Sequence, residues 1–231
     1  MMDFVPWSPA AGRLHLGAQG VHLWRIPAGP NGAEPAELWP VLSPAEQTRA
    51  LRFASRTLRD RYIRAHGGLR RILSSYLNEA PHELVFIVSP HGKPSVRQLA
   101  AGPGRRVEFS LTGSHDLALA AVSLDHPIGV DCELIRPRPE LIGIARRMFS
   151  QQVAEALETT PEPQRLDAFY AAWTALEAQV KAEGSGLFRP RDPAATPLMT
   201  AHFVPQSGYM AAVARERLPA TALWQGYEWS G

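Results

Sequence analysis

The scarcities of this sequence narrow its function before any motif is considered. A single cysteine, Cys132, stands among 231 residues. An internal disulfide is therefore excluded, and a reducing compartment is the expectation. An excess of one charge is also missing: 24 Lys and Arg face 22 Asp and Glu, for a net charge of +2. So small an excess excludes a simple polybasic binder of nucleic acid. No apolar run approaches the roughly 20 residues of a membrane span. The opening stretch, MMDFVPWSP, has no basic segment followed by an apolar one, so no secretory signal is expected and the cytoplasm is the expected location. The 45% hydrophobic and 20% charged content suits a real apolar core, in one large domain or two small halves.

The chain order suggests mixed structure. The first forty residues are rich in Pro and Gly and carry Trp7, Trp24 and Trp39. Val21 to Ile26 alternates in the manner of an edge strand, and Pro27 to Pro35 is expected to be a loop. Ser43, Pro44 and Glu46 form a helix start with a capping box. The helices that follow carry Arg49, Arg52, Arg56, Arg59, Arg61 and Arg64. Such a density is either a solvated face or a phosphate-binding surface, because guanidinium groups offer paired donors to phosphate oxygens. Leu84 to Val88 is β-rich and leads to a turn at His91-Gly92-Lys93-Pro94. Ala101 to Arg106 is expected as a loop, and Val107 to Leu111 alternates as a strand. Thr112 to Asp116 is expected as a polar loop, with His115 exposed in it.

Ile128 to Glu133, IGVDCE, is the stretch around which the chemistry gathers. It follows the apolar run Leu117 to Leu124. Side chains two apart in a strand share a face, so Asp131 and Glu133 project together and Cys132 projects oppositely. Two such charges repel unless a cation lies between them, and a hard divalent ion with oxygen ligands suits the place. The competing reading is an acidic strand end turned to solvent.

After a turn holding Arg136 and Arg138, helices are expected over Ile142 to Phe149, Gln151 to Leu157 and Arg165 to Glu183, with a loop from Thr159 to Pro163. Gly184 and Gly186 are stop signals for the last helix. Trp173, Glu177 and Lys181 share one of its faces, and a Glu–Lys surface pair is the simple reading. Ala201 to Val204, Tyr209 to Ala214 and the piece around Leu223-Trp224 are expected to close a second small sheet. The two halves then repeat the same order of elements.

Taken together, LSPAEQTRALRF, DRYIRAHGGLRRIL, GKP, FSLTGSHDLALAAV, IGVDCE and FYAAWTALEAQVKAEGSGL resemble the surfactin-synthetase-type 4′-phosphopantetheinyl transferases, over roughly Leu42 to Leu187. The resemblance implies an α+β fold: a pseudo-twofold pair of similar halves, each a small antiparallel sheet packed with helices, with the active site between them. It divides the chain into 1–115, holding the nucleotide of coenzyme A, and 116–231, holding the metal and catalytic residues. It implies transfer of 4′-phosphopantetheine from coenzyme A to a serine of an apo acyl or peptidyl carrier protein, with Mg²⁺ and release of adenosine 3′,5′-bisphosphate. Asp131, Glu133 and Glu177 are then the metal ligands, and Glu177 and Lys181 the catalytic pair. Arg59, Arg64, Lys93, Pro94, Thr112 and His115 are the coenzyme A contacts. A monomer is implied, with no nucleic-acid or membrane partner. Two positions depart from the family pattern. Leu176 stands where a Lys is common, and Thr112-Gly113 replaces a serine–histidine pair. A relative that binds coenzyme A or a carrier with little turnover is the alternative.

Overall fold

The computed structural model describes residues 6–10, 14–98, 106–186, 196–220 and 223–231. The chain opens with β1 (Trp7–Pro9) and β2 (Val21–Pro27), then α1 (Pro35–Leu38), a 3-10 turn, α2 (Pro44–Leu51) and α3 (Arg56–Leu77). A hairpin of β3 (Phe86–Val88) and β4 (Pro94–Val96) precedes β5 (Val107–Ser114), β6 (Leu117–Leu124) and β7 (Ile128–Leu134). Helices α4 (Leu141–Met148), α5 (Gln151–Thr159) and α6 (Glu162–Glu183) lead to β8 (Met199–Phe203), β9 (Tyr209–Arg215) and β10 (Trp224–Glu228). The loop expected over Ala101–Arg106, apart from Arg106, and the final Leu187 of the motif stretch lie outside the described residues.

The architecture is α+β. One sheet has the order β1-β10-β2-β6-β5, a second β7-β9-β8, and the hairpin forms a third. Each larger sheet packs against a 22-residue helix, α3 on the first and α6 on the second. The key to this arrangement is β6, in which every residue is buried. Ala118, Ala120 and Val122 face the cluster that holds Ile63 and Leu73 of α3. Leu117, Leu119 and Ala121 face the cluster that holds Val130 and Val213 of the second sheet. A strand apolar on both faces must be covered twice, and here a helix covers one face and a sheet the other.

Several expectations change. β6 lies beyond the expected division at residue 115, yet it pairs with β5 and β2 in the first sheet. The last strand, expected in the second sheet, pairs parallel with β2 and β1, so the first sheet is mixed rather than antiparallel. β2 is consequently an interior strand and not an edge, with Val21 to Trp24 buried. Thr112, Gly113 and Ser114 continue β5 in register with Leu119, Ala118 and Leu117, and only His115 and Asp116 make the turn. His115 takes φ 53° there, a left-handed conformation that two-residue hairpin turns demand. Two helices exceed their expected ends, with α5 reaching Thr159 and α6 beginning at Glu162.

The expected capping box is present at Ser43 and Glu46. Its carboxylate also accepts from Arg70 Nε at 2.7 Å, and Arg70 is 1% exposed. Burial alone would raise the Glu46 pKa, but bonds from His66 and Ser43 and the Arg70 charge outweigh it and hold it at about 2. A depressed carboxylate stabilises the fold above its unfolded pKa and loses that contribution as pH falls toward its folded one. Glu46→Gln should therefore cost about 2 kcal/mol at neutral pH and flatten the acid limb of stability between the ordinary value of 4.5 and about 2. Urea denaturation across that pH range checks both; an unchanged acid limb would contradict the assignment.

Candidate active site

The carboxylates are placed by the packing of β7. One edge of β7 pairs with β9. Along the other lies β5, joined by side-chain hydroxyls. Ser110 Oγ accepts from the Val130 amide at 3.1 Å, and Ser114 Oγ accepts from the Leu134 amide at 3.1 Å. Between them, Thr112 Oγ1 donates to Asp131 Oδ1 at 2.8 Å, while Ser114 Oγ donates to Glu133 Oε2 at 2.7 Å. Residues 110, 112 and 114 share one face of β5, and Asp131 and Glu133 share one face of β7. Cys132 points the opposite way and is 1% exposed within the core.

Helix α6 lies across the same face. Gly129 makes this possible: a Cβ there would collide with the Ala178 carbonyl and the Ala182 amide. The close approach brings Lys181 Nζ to 2.6 Å from Asp131 Oδ1 and 3.0 Å from Thr112 Oγ1. Lys181 is thus paired across the junction with Asp131, and not along the helix as the simple Glu177–Lys181 reading supposed. Trp173 turns to a different task, stacking on Phe169 beside Phe149. Leu176 is half-buried on the same helix.

Burial raises the pKa of Glu133, and the charge of Asp131 adds to it, against the Ser114 hydrogen bond. Glu177 is raised by burial as well; Lys181 opposes this, while Asp131 and Glu133 reinforce it. Asp131 thus opposes the ionisation of both Glu133 and Glu177. Among the described residues no three His, Cys, Asp or Glu side chains stand as a ready-formed metal cage. The donor set nonetheless fits a hard divalent cation. It consists of carboxylate oxygens in mutual repulsion, and Asp131 Oδ2 is buried with no hydrogen-bond partner among the described residues.

Two cavities flank this junction along β5, and Leu111 borders both. The first, about 310 Å³, is lined by Arg61, Tyr62, His66, Thr112, Gly113 and His115, among others. The second, about 290 Å³, is lined by Lys93, Pro94, Ser110, Lys181 and Gly184, among others. Thr112, His115, Lys93 and Pro94 are thereby brought to cavity walls. Arg59 and Arg64 are not. Arg64 is buried, and its guanidinium donates to the Ala33 and Ala28 carbonyls at 2.8 and 3.4 Å. The cavity arginine is Arg61, which also pairs with Asp116 at 2.7 Å. Lys93 Nζ donates to the Ala182 carbonyl at 2.7 Å, at the C-terminal turn of α6, and burial lowers its pKa, with Glu108 opposing.

The residues that sequence reasoning missed had signals. Leu58, Arg61, Tyr62, Ala65 and His66 line the first cavity at spacings of three and four, a single stripe of a helix; Arg59 and Arg64 fall off that stripe. Ser110 and Ser114 could have been found from the period-two run Ser-Leu-Thr-Gly-Ser, had it been taken as strand.

Comparison with known proteins bears on this geometry. The profile of the 4′-phosphopantetheinyl transferase superfamily matches residues 127–212, which include Asp131, Glu133, Glu177 and Lys181. The chain is 34% identical over 221 residues to the 4′-phosphopantetheinyl transferase HetI of Nostoc sp., covering 90% of this chain and 92% of that one. It is 31% identical over 143 residues to 4′-phosphopantetheinyl transferase psf-1 of Bacillus pumilus, with 62% and 56% covered. To 4′-phosphopantetheinyl transferase Sfp of Bacillus subtilis it is 26% identical over 151 residues, with 65% and 64% covered.

Proposed function

We propose, on the premise that this chain belongs to the 4′-phosphopantetheinyl transferase superfamily, that the junction of β5, β7 and α6 is where it moves phosphopantetheine from coenzyme A to a carrier-protein serine. The observation that carries this is the position of Asp131, bonded to Thr112 and Lys181 between two cavities with cationic walls. Coenzyme A is anionic along its nucleotide and diphosphate, and cationic, hydroxyl-lined walls on either side of an acidic centre suit it.

The reaction is an in-line displacement at phosphorus. The carrier serine oxygen forms a bond to the β-phosphorus of coenzyme A as the bond from that phosphorus to the bridging oxygen breaks. Adenosine 3′,5′-bisphosphate leaves with the bridging electrons, and the serine proton passes to the Glu177 carboxylate. Burial raises the pKa of Glu177 in the metal-free protein, with Asp131 and Glu133 adding to it, and the role of base is given to it because its carboxylate sits one helical turn from Lys181. Lys181, on the same face one turn later, meets the negative charge that grows on the leaving phosphate. Asp131, Glu133 and Glu177 would hold Mg²⁺, whose chemistry when bound is to neutralise the diphosphate. The carrier is an acyl or peptidyl carrier protein, and the enzyme acts as a cytoplasmic monomer. Among the described residues no helix is long and apolar enough to cross a membrane.

The test is incubation with coenzyme A, Mg²⁺ and apo carriers of both kinds, followed by intact mass measurement. One phosphopantetheine increment on the carrier serine is the expected result; binding without an increment on any carrier would contradict the proposal. Lys93 gives a separate check. Lys93→Ala should weaken coenzyme A about tenfold, the worth of one charge-assisted hydrogen bond, and the wild-type affinity should fall with salt. Calorimetry with coenzyme A measures both, and an unchanged affinity in Lys93→Ala would remove Lys93 from the nucleotide site.

A further inference from the structure

We infer that Ser114 is a positioning residue that orients Glu133 for the divalent cation; this rests on the metal reading proposed above. The argument starts from what one hydroxyl can do. It has a single proton to donate and lone pairs to accept with. Ser114 gives its proton to Glu133 Oε2 at 2.7 Å and accepts the Leu134 amide at 3.1 Å. The bond partners are adjacent residues of the same strand, so the carboxylate is tied through Ser114 to its own backbone. Holding Oε2 restricts where Oε1 can point, because both oxygens belong to one planar group.

Burial keeps this circuit intact. Ser114 is 8% exposed, so water competes weakly for its hydrogen bonds. Glutamate has three side-chain torsions, and a free one must be ordered when it takes up a ligand. A carboxylate already held by a hydroxyl has much of that ordering done, which is how groups behind a metal's ligands raise affinity. Thr112 holds Asp131 in the same way, but its oxygen also accepts Lys181, so its substitution disturbs two charges at once. Ser110 supplies the internal control. It lies on the same face of β5 and accepts the Val130 amide at 3.1 Å, but its described bond engages no carboxylate. If hydroxyls on β5 served only to join the strands, Ser110 and Ser114 would be equivalent.

The experiment titrates Mn²⁺ calorimetrically into the metal-free full-length protein: wild type, Ser114→Ala, Ser114→Thr, Ser110→Ala and Asp131→Asn, with thermal melts of each. Ser114→Ala should bind Mn²⁺ at least about tenfold more weakly, and Ser114→Thr, which keeps the hydroxyl, should recover most of the loss. Ser110→Ala should melt earlier yet bind Mn²⁺ as the wild type does. In steady-state assays Ser114→Ala should lower kcat with the KM for coenzyme A held. Wild-type Mn²⁺ affinity in Ser114→Ala, or equal weakening in Ser110→Ala, would overturn the inference while Asp131→Asn still showed a loss. Undiminished Mn²⁺ binding in Asp131→Asn would instead overturn the metal reading, and this inference with it.

Discussion

Asp131→Asn should lower carrier modification on the order of a thousandfold, as loss of a central electrostatic element of phosphoryl transfer does, while the protein remains folded. The substitution keeps shape and removes charge. Thr112 can still donate to the amide oxygen, so the hydroxyl contact at 2.8 Å has a replacement partner. Two effects then oppose each other in the metal-free protein. Lys181 loses the partner now 2.6 Å away, which destabilises. Glu133 and Glu177 lose a neighbouring charge that raises the pKa of each, which relieves repulsion. A carboxyl whose folded pKa is raised costs stability as pH rises from its unfolded pKa toward its folded one. The metal-free variant should therefore lose less stability than the wild type between acid and neutral pH. Its Glu177 should titrate at lower pH, a shift that carboxyl NMR can follow. The rate is measured as initial carrier modification at saturating Mg²⁺. A variant with undiminished turnover would remove Asp131 from the chemistry, and a Glu177 titration that moved up would remove it from the electrostatics.

Much of this site was legible because its parts are short-range patterns. The i, i+2 spacing of Asp131 and Glu133 placed them on one face, and the i, i+4 spacing of Glu177 and Lys181 placed those together. The cap at Ser43 and the left-handed stop at Gly184 are equally local. Long-range pairing was not legible. Nothing in Trp224–Glu228 states that it crosses back to lie parallel with β2, because pairing direction is set by the path between strands. β6 misled for a related reason: an apolar run without alternation shows that both faces are buried, but not in which sheet. Thr112 to Ser114 looked like loop because its residues are small and polar. In fact those hydroxyls bond an adjacent sheet, which a strand with alternating Ser and Thr can do and a solvent loop cannot. Among the arginines, composition could not separate Arg61 from Arg64. Only the rotation of α3 against the sheet turns one to a cavity and the other to the Ala28 and Ala33 carbonyls.

Lys181→Met should separate a structural counter-charge from a catalytic one. In the metal-free protein Lys181 compensates Asp131, whose side chain is only 6% exposed. Removing the ammonium leaves a buried carboxylate unpaired and should cost about 2 kcal/mol, below the full penalty for a buried pair because the lysine end is 29% exposed. The methionine keeps the aliphatic stem against the junction, so the loss is one of charge more than packing. Mn²⁺ should restore most of that stability, since a divalent cation supplies the missing charge at the same carboxylates. Lys181 also opposes the rise in the Glu177 pKa, so the metal-free variant should bind that proton up to a higher pH. Turnover is the decisive measurement. A lysine that served only Asp131 would be replaced in full by the metal, and kcat would be normal once Mg²⁺ was saturating. A lysine that meets the leaving phosphate acts when charge develops there, and its loss should lower kcat about a hundredfold with coenzyme A affinity changed far less. Leu176 sharpens the test, because the position before Glu177 offers no second cation on this face of α6. Normal turnover in Lys181→Met with saturating Mg²⁺ would confine Lys181 to the structural role; a hundredfold loss that persists after stability is restored would place it on the reaction path.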